Sequence, residues 1–272
     1  MPMECTVCKF NNPKASTGAI IIRDSKILLV KRSEEPHRGR WDLPGGYVNV
    51  GELPSDALRR EVKEELGVEC NFDLIGLFPG TASWKGQEFA VINHIYLIEL
   101  LGDNIRLSEE NSDYQWTDFR SISPNDQAFD SNRDAIRYVK EKMGVDFEQV
   151  KKLIDQLDAA AKVSEINFYR SLLNGYCSRK YVDGKLVGLG WIYSRQTLLR
   201  KQAVIEDMIV DGNQRGKGLG KEIVLDLIRW AEESGVQVIE LTSNPKRVAA
   251  NALYQRVGFQ LHPTNHYLYR VV

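Results

Sequence analysis

Gly46–Val68 reads GYVNVGELPSDALRREVKEELGV, and the carboxylates in it decide how the first half of the chain is organised. Glu61, Glu64 and Glu65 lie three and four residues apart, a spacing that sets them along one side of a helix. Like charges stacked in that way repel unless a cation neutralises them, and an all-oxygen ligand set suits a hard divalent ion such as Mg²⁺. Pro54 is compatible with the first helical position and Gly67 with the position just past the end, so the helix spans about Pro54–Leu66. Leu58, Val62 and Leu66 form its apolar stripe, roughly a quarter-turn from the glutamates. Glycines at 45, 46 and 51 let the entering loop bend sharply and approach an ion closely.

Taken as a pattern, the stretch is Gly46, five residues, Glu52, seven residues, Arg60-Glu61-Val62, one residue, Glu64-Glu65, one residue, then Gly67-Val68. It resembles the Nudix box at each defined position. The resemblance implies that Glu61, Glu64 and Glu65 bind Mg²⁺ or Mn²⁺ with help from the Gly45 carbonyl, that Glu64 is catalytic, and that Glu52 pairs with Arg60 to hold helix against loop. It also implies that a later acidic residue, Glu109 or Glu110 in Leu107-Ser108-Glu109-Glu110, binds a further metal or activates water; an exposed acidic turn is the other reading.

With 272 residues and 43% apolar composition the chain is expected to form two domains. Its 36 Lys and Arg balance 37 Asp and Glu without a long basic run, which argues against a nucleic-acid or membrane footprint and for small, individually bound substrates. The start, MPMECTVCKFNNPK, lacks a secretory apolar region and no apolar run reaches membrane-spanning length, so a cytoplasmic location is expected. Cys5 and Cys8 have metal-ligand spacing, yet no second close pair accompanies them. With Asn12-Pro13-Lys14 they look like the last half of the zinc ribbon in NADH-pyrophosphatase-like proteins, and are read as its remnant, the other reading being a zinc site completed by a second chain. Cys70 and Cys177 are expected to be buried, inert thiols.

Ala19–Ile22 and Lys26–Val30 read as strands about a tight turn, Asn71–Phe78 and Glu88–Leu100 as strands, and Pro79–Gln87 as a loop carrying Trp84 and Lys85, which the resemblance to Nudix enzymes implies helps choose the substrate. A strand at Tyr114–Phe119 and a helix at Asn132–Met143 complete a first domain, 1–143. In the remainder, 144–272, helices are expected at Phe147–Val163 and Ile166–Leu173, an Asp183-Gly184 hairpin between apolar runs, and a strand at Gln202–Val210.

That last strand runs into Gln214-Arg215-Gly216-Lys217-Gly218-Leu219-Gly220-Lys221 ahead of an amphipathic helix. Glycines and a helix N-terminus there form a cradle for phosphate. The loop lacks the Gly-Lys-Ser/Thr ending of a P-loop and the spacing of a Rossmann fingerprint. A strand at Val236–Thr242, a short helix and Leu253-Tyr254-Gln255-Arg256-Val257-Gly258-Phe259 follow. In this order the motifs resemble those of GCN5-related N-acetyltransferases (GNAT). The resemblance implies acetyl-CoA, its pyrophosphate on the amides of Arg215, Gly216, Lys217, Gly218, Leu219, Gly220 and Lys221 and its pantetheine arm along Ile209-Val210. Tyr254 is implied as the acid that protonates the thiolate. Arg247 stands where many members have an asparagine; Asn251 is the candidate substitute. Glu206 is the candidate base, with Asp207 next, and the usual first strand of that fold is not evident.

The expectation is therefore an α/β chain of two domains, an N-terminal Nudix α/β/α sandwich and a C-terminal GNAT mixed sheet. It would hydrolyse a nucleoside diphosphate derivative resembling ADP-ribose and acetylate a small-molecule or protein amine; a homodimer is compatible with this. Two other readings stay open: a nucleotide or acyl-CoA sensor, and a nucleoside triphosphate pyrophosphohydrolase joined to the acetyltransferase.

Overall fold

The computed structural model describes residues 12–269, so Cys5 and Cys8 lie outside the described residues. Its first sheet has the strand order β3-β2-β1-β5-β4, with β6 paired to β2. Its strands are β1 (Lys14–Arg23), β2 (Lys26–Arg32), β3 (Trp41–Asp42), β4 (Cys70–Trp84), β5 (Gln87–Leu100) and β6 (Asn111–Asp118). The expected tight turn between β1 and β2 holds Asp24 and Ser25 at φ 51° and 57°, the two positive values that let two residues reverse the chain with the right twist. β1 runs parallel to β5 from Lys14 to Ile21, and the box loop bonds along β1, with Thr17 N–H donating to Gly46 O, Ala19 N–H to Pro44 O and Val48 N–H to Ala15 O.

Helix α1 spans Pro54–Leu66 as the spacing predicts, and ends on Gly67 at φ 72°, whose N–H bonds Lys63 O. Leu58, Val62 and Leu66 are fully buried against Ala19, Ile21, Leu28, Val30 and Ile98. At about 25 cal/mol per Å² of apolar surface, each such side chain contributes roughly 1.5–3 kcal/mol, which fixes the helix and so the glutamates. One difference concerns the expected loop Pro79–Gln87. β4 and β5 continue through it to a turn at Lys85-Gly86. Pro79 is tolerated because β4 is the edge strand, where a missing N–H breaks no ladder.

Helix α2 (Asp130–Met143) buries Ala135, Ile136, Val139 and Met143. Helix α3 (Phe147–Leu157) is shorter than expected, and α4 spans Glu165–Leu173. The compact units divide the chain differently from a single cut after 143: one comprises the chain through Glu148 together with Val163–Leu173, the other Gln149–Lys162 and the chain from Asn174. The reason lies in α4. Its Tyr169 is fully buried against Phe119, Arg170 bonds Asp73 at 2.7 Å and Glu99 at 3.1 Å, and Glu165 accepts from the N–H groups of Asp24 and Ser25.

The second unit carries the sheet β10-β9-β8-β7, made of β7 (Gly175–Val182), β8 (Lys185–Gln196), β9 (Lys201–Val210) and β10 (Val238–Leu241). Asp183 and Gly184 form the hairpin turn at φ 48° and 74°. Helix α5 (Leu219–Glu233) packs Ile223, Leu227 and Ala231 on Ile192, Ala203 and Ile205, and α6 spans Val248–Arg256. No strand precedes α3 within this unit among the described residues, in keeping with the sequence. Cys70 and Cys177 are buried free thiols, the latter pushed up to about 12 by burial.

Candidate functional sites

In the first unit the box loop and α1 meet at two carboxylates. Glu61 lies under Gly46, where a Cβ would collide with its carboxylate, and Glu65 Oε2 accepts the Gly45 N–H at 3.0 Å. A side chain on Gly45 would likewise strike the main chain of Thr17 and Gly18. The glycines are thus required by close approach. Gly45 meets the cluster through its N–H, whereas its carbonyl was the expected ligand. Arg60 grips Glu52 with two bonds, 2.9 Å from Nε and 3.0 Å from Nη2, and also reaches Tyr47 O, Glu61 and Glu64. The Glu52–Arg60 pair is therefore formed, and its hydrogen bonds hold Glu52 below the usual carboxylate range.

Burial raises the pKa of Glu61 against the hydrogen bond and charge of Arg60, and pushes Glu65 to about 8 against the Gly45 N–H, with Glu110 adding its charge at both. Glu110 lies in the field of this pair, and its main-chain oxygen is held by the Ser33 N–H at 2.8 Å. Glu64 is turned outward, its side chain 59% exposed on Arg60. Among the described residues no three His, Cys, Asp or Glu side chains are gathered as a ready metal cage. The donor chemistry still fits a hard cation: two buried, oxygen-only ligands are destabilised as anions by burial and by each other, and a divalent ion would relieve both.

The second unit has a cavity of about 1010 Å³. It is walled by Met208–Val210, the Gly-rich loop, the start of α5, Lys246–Ala250, Leu253, Tyr254 and Arg256. Its position follows from β9: β10 pairs only with Gln202–Ile205, so beyond Ile205 the strand has a free edge on that side. A register shift beside Glu206 and a φ of 49° at Asp207 mark a bulge there. Gly218 caps α5 at φ 88° with open space around it, which leaves the helix N–H groups bare. Five cations line the wall (Arg215, Lys221, Lys246, Arg247 and Arg256) and no carboxylate does. A large polyanion such as CoA fits that charge and size.

The cavity brings together Ile209, Val210, Arg215, Gly216, Gly218, Leu219, Gly220, Lys221 and Tyr254. Lys217 is not in its wall and bonds Gln214, Asn251 is engaged by Asn244 O at 3.0 Å, and Glu206 lies outside the wall. The Tyr254 hydroxyl sits 3.6 Å from Met208 Sδ; burial raises its pKa and Arg247 opposes. Arg247 donates to Met208 O at 3.4 Å, so a guanidinium occupies the place of the expected asparagine. Burial, then the charge of Asp207, raises Glu206, with His266 opposing. Sequence reasoning missed Lys246 and Arg256, which lie at the two ends of α6, Lys246 just ahead of its first residue and Arg256 at its last.

Known proteins agree with both halves. The family model for the NUDIX domain matches residues 12–142 and that for the acetyltransferase (GNAT) family matches 150–259. The nucleoside triphosphatase NudI of Escherichia fergusonii is 34% identical over 116 residues, 40% of this chain and 81% of its own length. An ADP-ribose pyrophosphatase of Methanocaldococcus jannaschii is 28% identical over 134 residues, 49% of this chain and 77% of that protein. An aminoglycoside acetyltransferase, meta-AAC0020, from an uncultured soil metagenomic sample, solved with sisomicin, has 17% identity and a TM-score of 0.42 over 46% of this chain and 88% of its own. The chain belongs to the Nudix family, and a GNAT-family domain follows its Nudix domain. It is an enzyme built of a hydrolase domain and an acetyltransferase domain. No helix among the described residues is long and apolar enough to cross a membrane.

Proposed function

We propose a bifunctional enzyme: the Nudix unit hydrolyses a nucleoside diphosphate derivative of the ADP-ribose type, and the GNAT unit transfers acetyl from acetyl-CoA to an amine. The buried Glu61–Glu65 pair beneath Gly45-Gly46 carries the first half of this reading. A bound Mg²⁺ or Mn²⁺ supplies charge neutralisation for the diphosphate and acidifies water. The Glu52–Arg60 clamp keeps loop and helix in register, and Glu64 and Glu110 are the carboxylates nearest to hand for the proton of an attacking water. The carboxylate-free, cationic cavity carries the second half. There the amine nitrogen bonds to the thioester carbon, strand amides steady the oxyanion, and the C–S bond breaks. Glu206 takes the amine proton through water and Tyr254 gives one to the leaving thiolate.

Product analysis tests the substrate reading. Two monophosphorylated products from ADP-ribose support it. Pyrophosphate released from a nucleoside triphosphate, with ADP-ribose untouched, replaces it with the reading that the similarity to NudI favours. Substitutions test the division of labour. Glu64→Gln should lower hydrolysis by orders of magnitude and spare acetyl transfer; Tyr254→Phe should lower acetyl transfer by about 10²-fold and spare hydrolysis. Loss of both activities from either change, in a protein that still melts cooperatively, would refute two separate sites.

A further inference from the structure

Apart from the glutamate cluster, the first unit gathers three guanidinium groups beside the loop that joins β2 to β3. Arg40 Nη2 and Arg133 Nε donate to one atom, the main-chain oxygen of Gln127, at 3.3 and 3.1 Å. Arg32 lies over the ring of Phe129, 5.2 Å from its centroid, and His37 meets the same ring edge-on at 5.2 Å. The remaining bonds of these arginines go to main-chain oxygens: Arg32 to Pro36, Arg40 to Asn125, Arg133 to Ala128. Among the described residues none of the three forms an ion pair, and Arg32 Nη1 and Nη2 have no acceptor. All three are half-buried, so water screens their repulsion poorly. Gln127 itself is fully buried, with neither side-chain polar atom partnered.

We infer that Arg32, Arg40 and Arg133 form a binding site for a phosphoryl group. The three guanidinium groups outnumber the two carboxylates in their field, Glu35 on the His37 N–H and the buried Asp42, which leaves positive charge for an anion, and the planar guanidinium fork matches phosphate oxygens. The field they create is felt by His37: burial, then Arg40, Arg32 and Arg133, hold its pKa below the usual value, and Glu35 opposes. Arg32 also acts on the Tyr47 hydroxyl, and Tyr47 follows Gly46, which abuts Glu61. The phosphoryl group therefore has two sources: the nucleotide hydrolysed at the glutamates, which rests on the hydrolase reading, or a separate phosphate.

The test begins with the wild-type chain in EDTA, following the His37 ring by NMR across pH as inorganic pyrophosphate is added. A bound anion offsets the arginine field, so the His37 midpoint should rise and saturate, and Arg32→Gln should weaken the apparent pyrophosphate affinity at least tenfold. A midpoint that ignores pyrophosphate, or that moves equally in wild type and Arg32→Gln, overturns the site. With the site established, KM for ADP-ribose separates the sources. A tenfold rise in Arg32→Gln at unchanged kcat assigns it to the hydrolysed nucleotide; an unchanged KM assigns it to a separate phosphate. Failure of ADP-ribose hydrolysis would refute the substrate reading alone, because the NMR measurement does not depend on turnover.

Discussion

Asp42 is fully buried with no ion pair, and hydrogen bonds, together with the charge of Arg32, favour its charged form. Asn132 Nδ2 donates to it at 2.6 Å, and Asn132 Oδ1 in turn accepts from Asn93 at 2.7 Å. Burial outweighs this help and pushes its pKa up to about 6. The folded value thus exceeds the unfolded one. Its contribution to stability is complete below about pH 4 and is lost as pH rises through about 6, up to roughly 3 kcal/mol. Denaturant midpoints should therefore fall between pH 4 and 7, and Asp42→Asn should flatten that slope; an equal slope in the variant would show that other groups set it. Sequence spacing put the three box glutamates on one side of α1, but how far they are buried depends also on Gly45 and Gly46, brought in by a loop from outside the helix. Helical periodicity already grades the three, with Glu65 nearest the Leu58, Val62 and Leu66 stripe and Glu64 furthest from it, and the long-range contact with Gly45 and Gly46 completes the burial of Glu61 and Glu65 while Glu64 stays on Arg60.

At the level of elements, the readings that depended on local signals agree with the structure. Pro54 and Gly67 mark both ends of α1, and Asp183-Gly184 marks its hairpin. The readings that failed depended on neighbours. Pro79 reads as a loop residue until β4 is known to be an edge strand, and the free stretch of β9 is visible only once β10 is seen to stop at Ile205. The Gly-rich loop ahead of α5 offers a direct test. Gly218→Asp adds a negative charge where helix N–H groups face the cavity and forces a φ of 88° on a side chain. Calorimetry should show acetyl-CoA affinity reduced at least tenfold. Gly218→Asn, which tolerates that backbone better and carries no charge, should lose less. Equal losses would mean that backbone strain, not phosphate contact, explains the effect.

For the whole molecule, α4 is the decisive piece. Tyr169 and Leu172 are buried in the first unit although the sequence places them after residues of the second. Truncating a buried aromatic costs about 3–5 kcal/mol, and for a unit of this size that is a shift on the order of 10 °C. Tyr169→Ala should accordingly lower the melting of the hydrolase unit, followed by loss of hydrolysis on heating, while thermal loss of acetyl transfer stays in place. Parallel losses would make the melting of the two units one event. Composition and motifs revealed two catalytic families in one chain, but not this interleaving, because α3 and α4 carry the same kind of amphipathic pattern and nothing local says which sheet each will cover. The interleaving also bears on how the gene can be divided. A break between 149 and 162 deprives the hydrolase of its last helix, and a break after 173 strands the transferase's first helix on the wrong polypeptide. No single cut yields two whole products, so the two activities are inherited, translated and dosed as one.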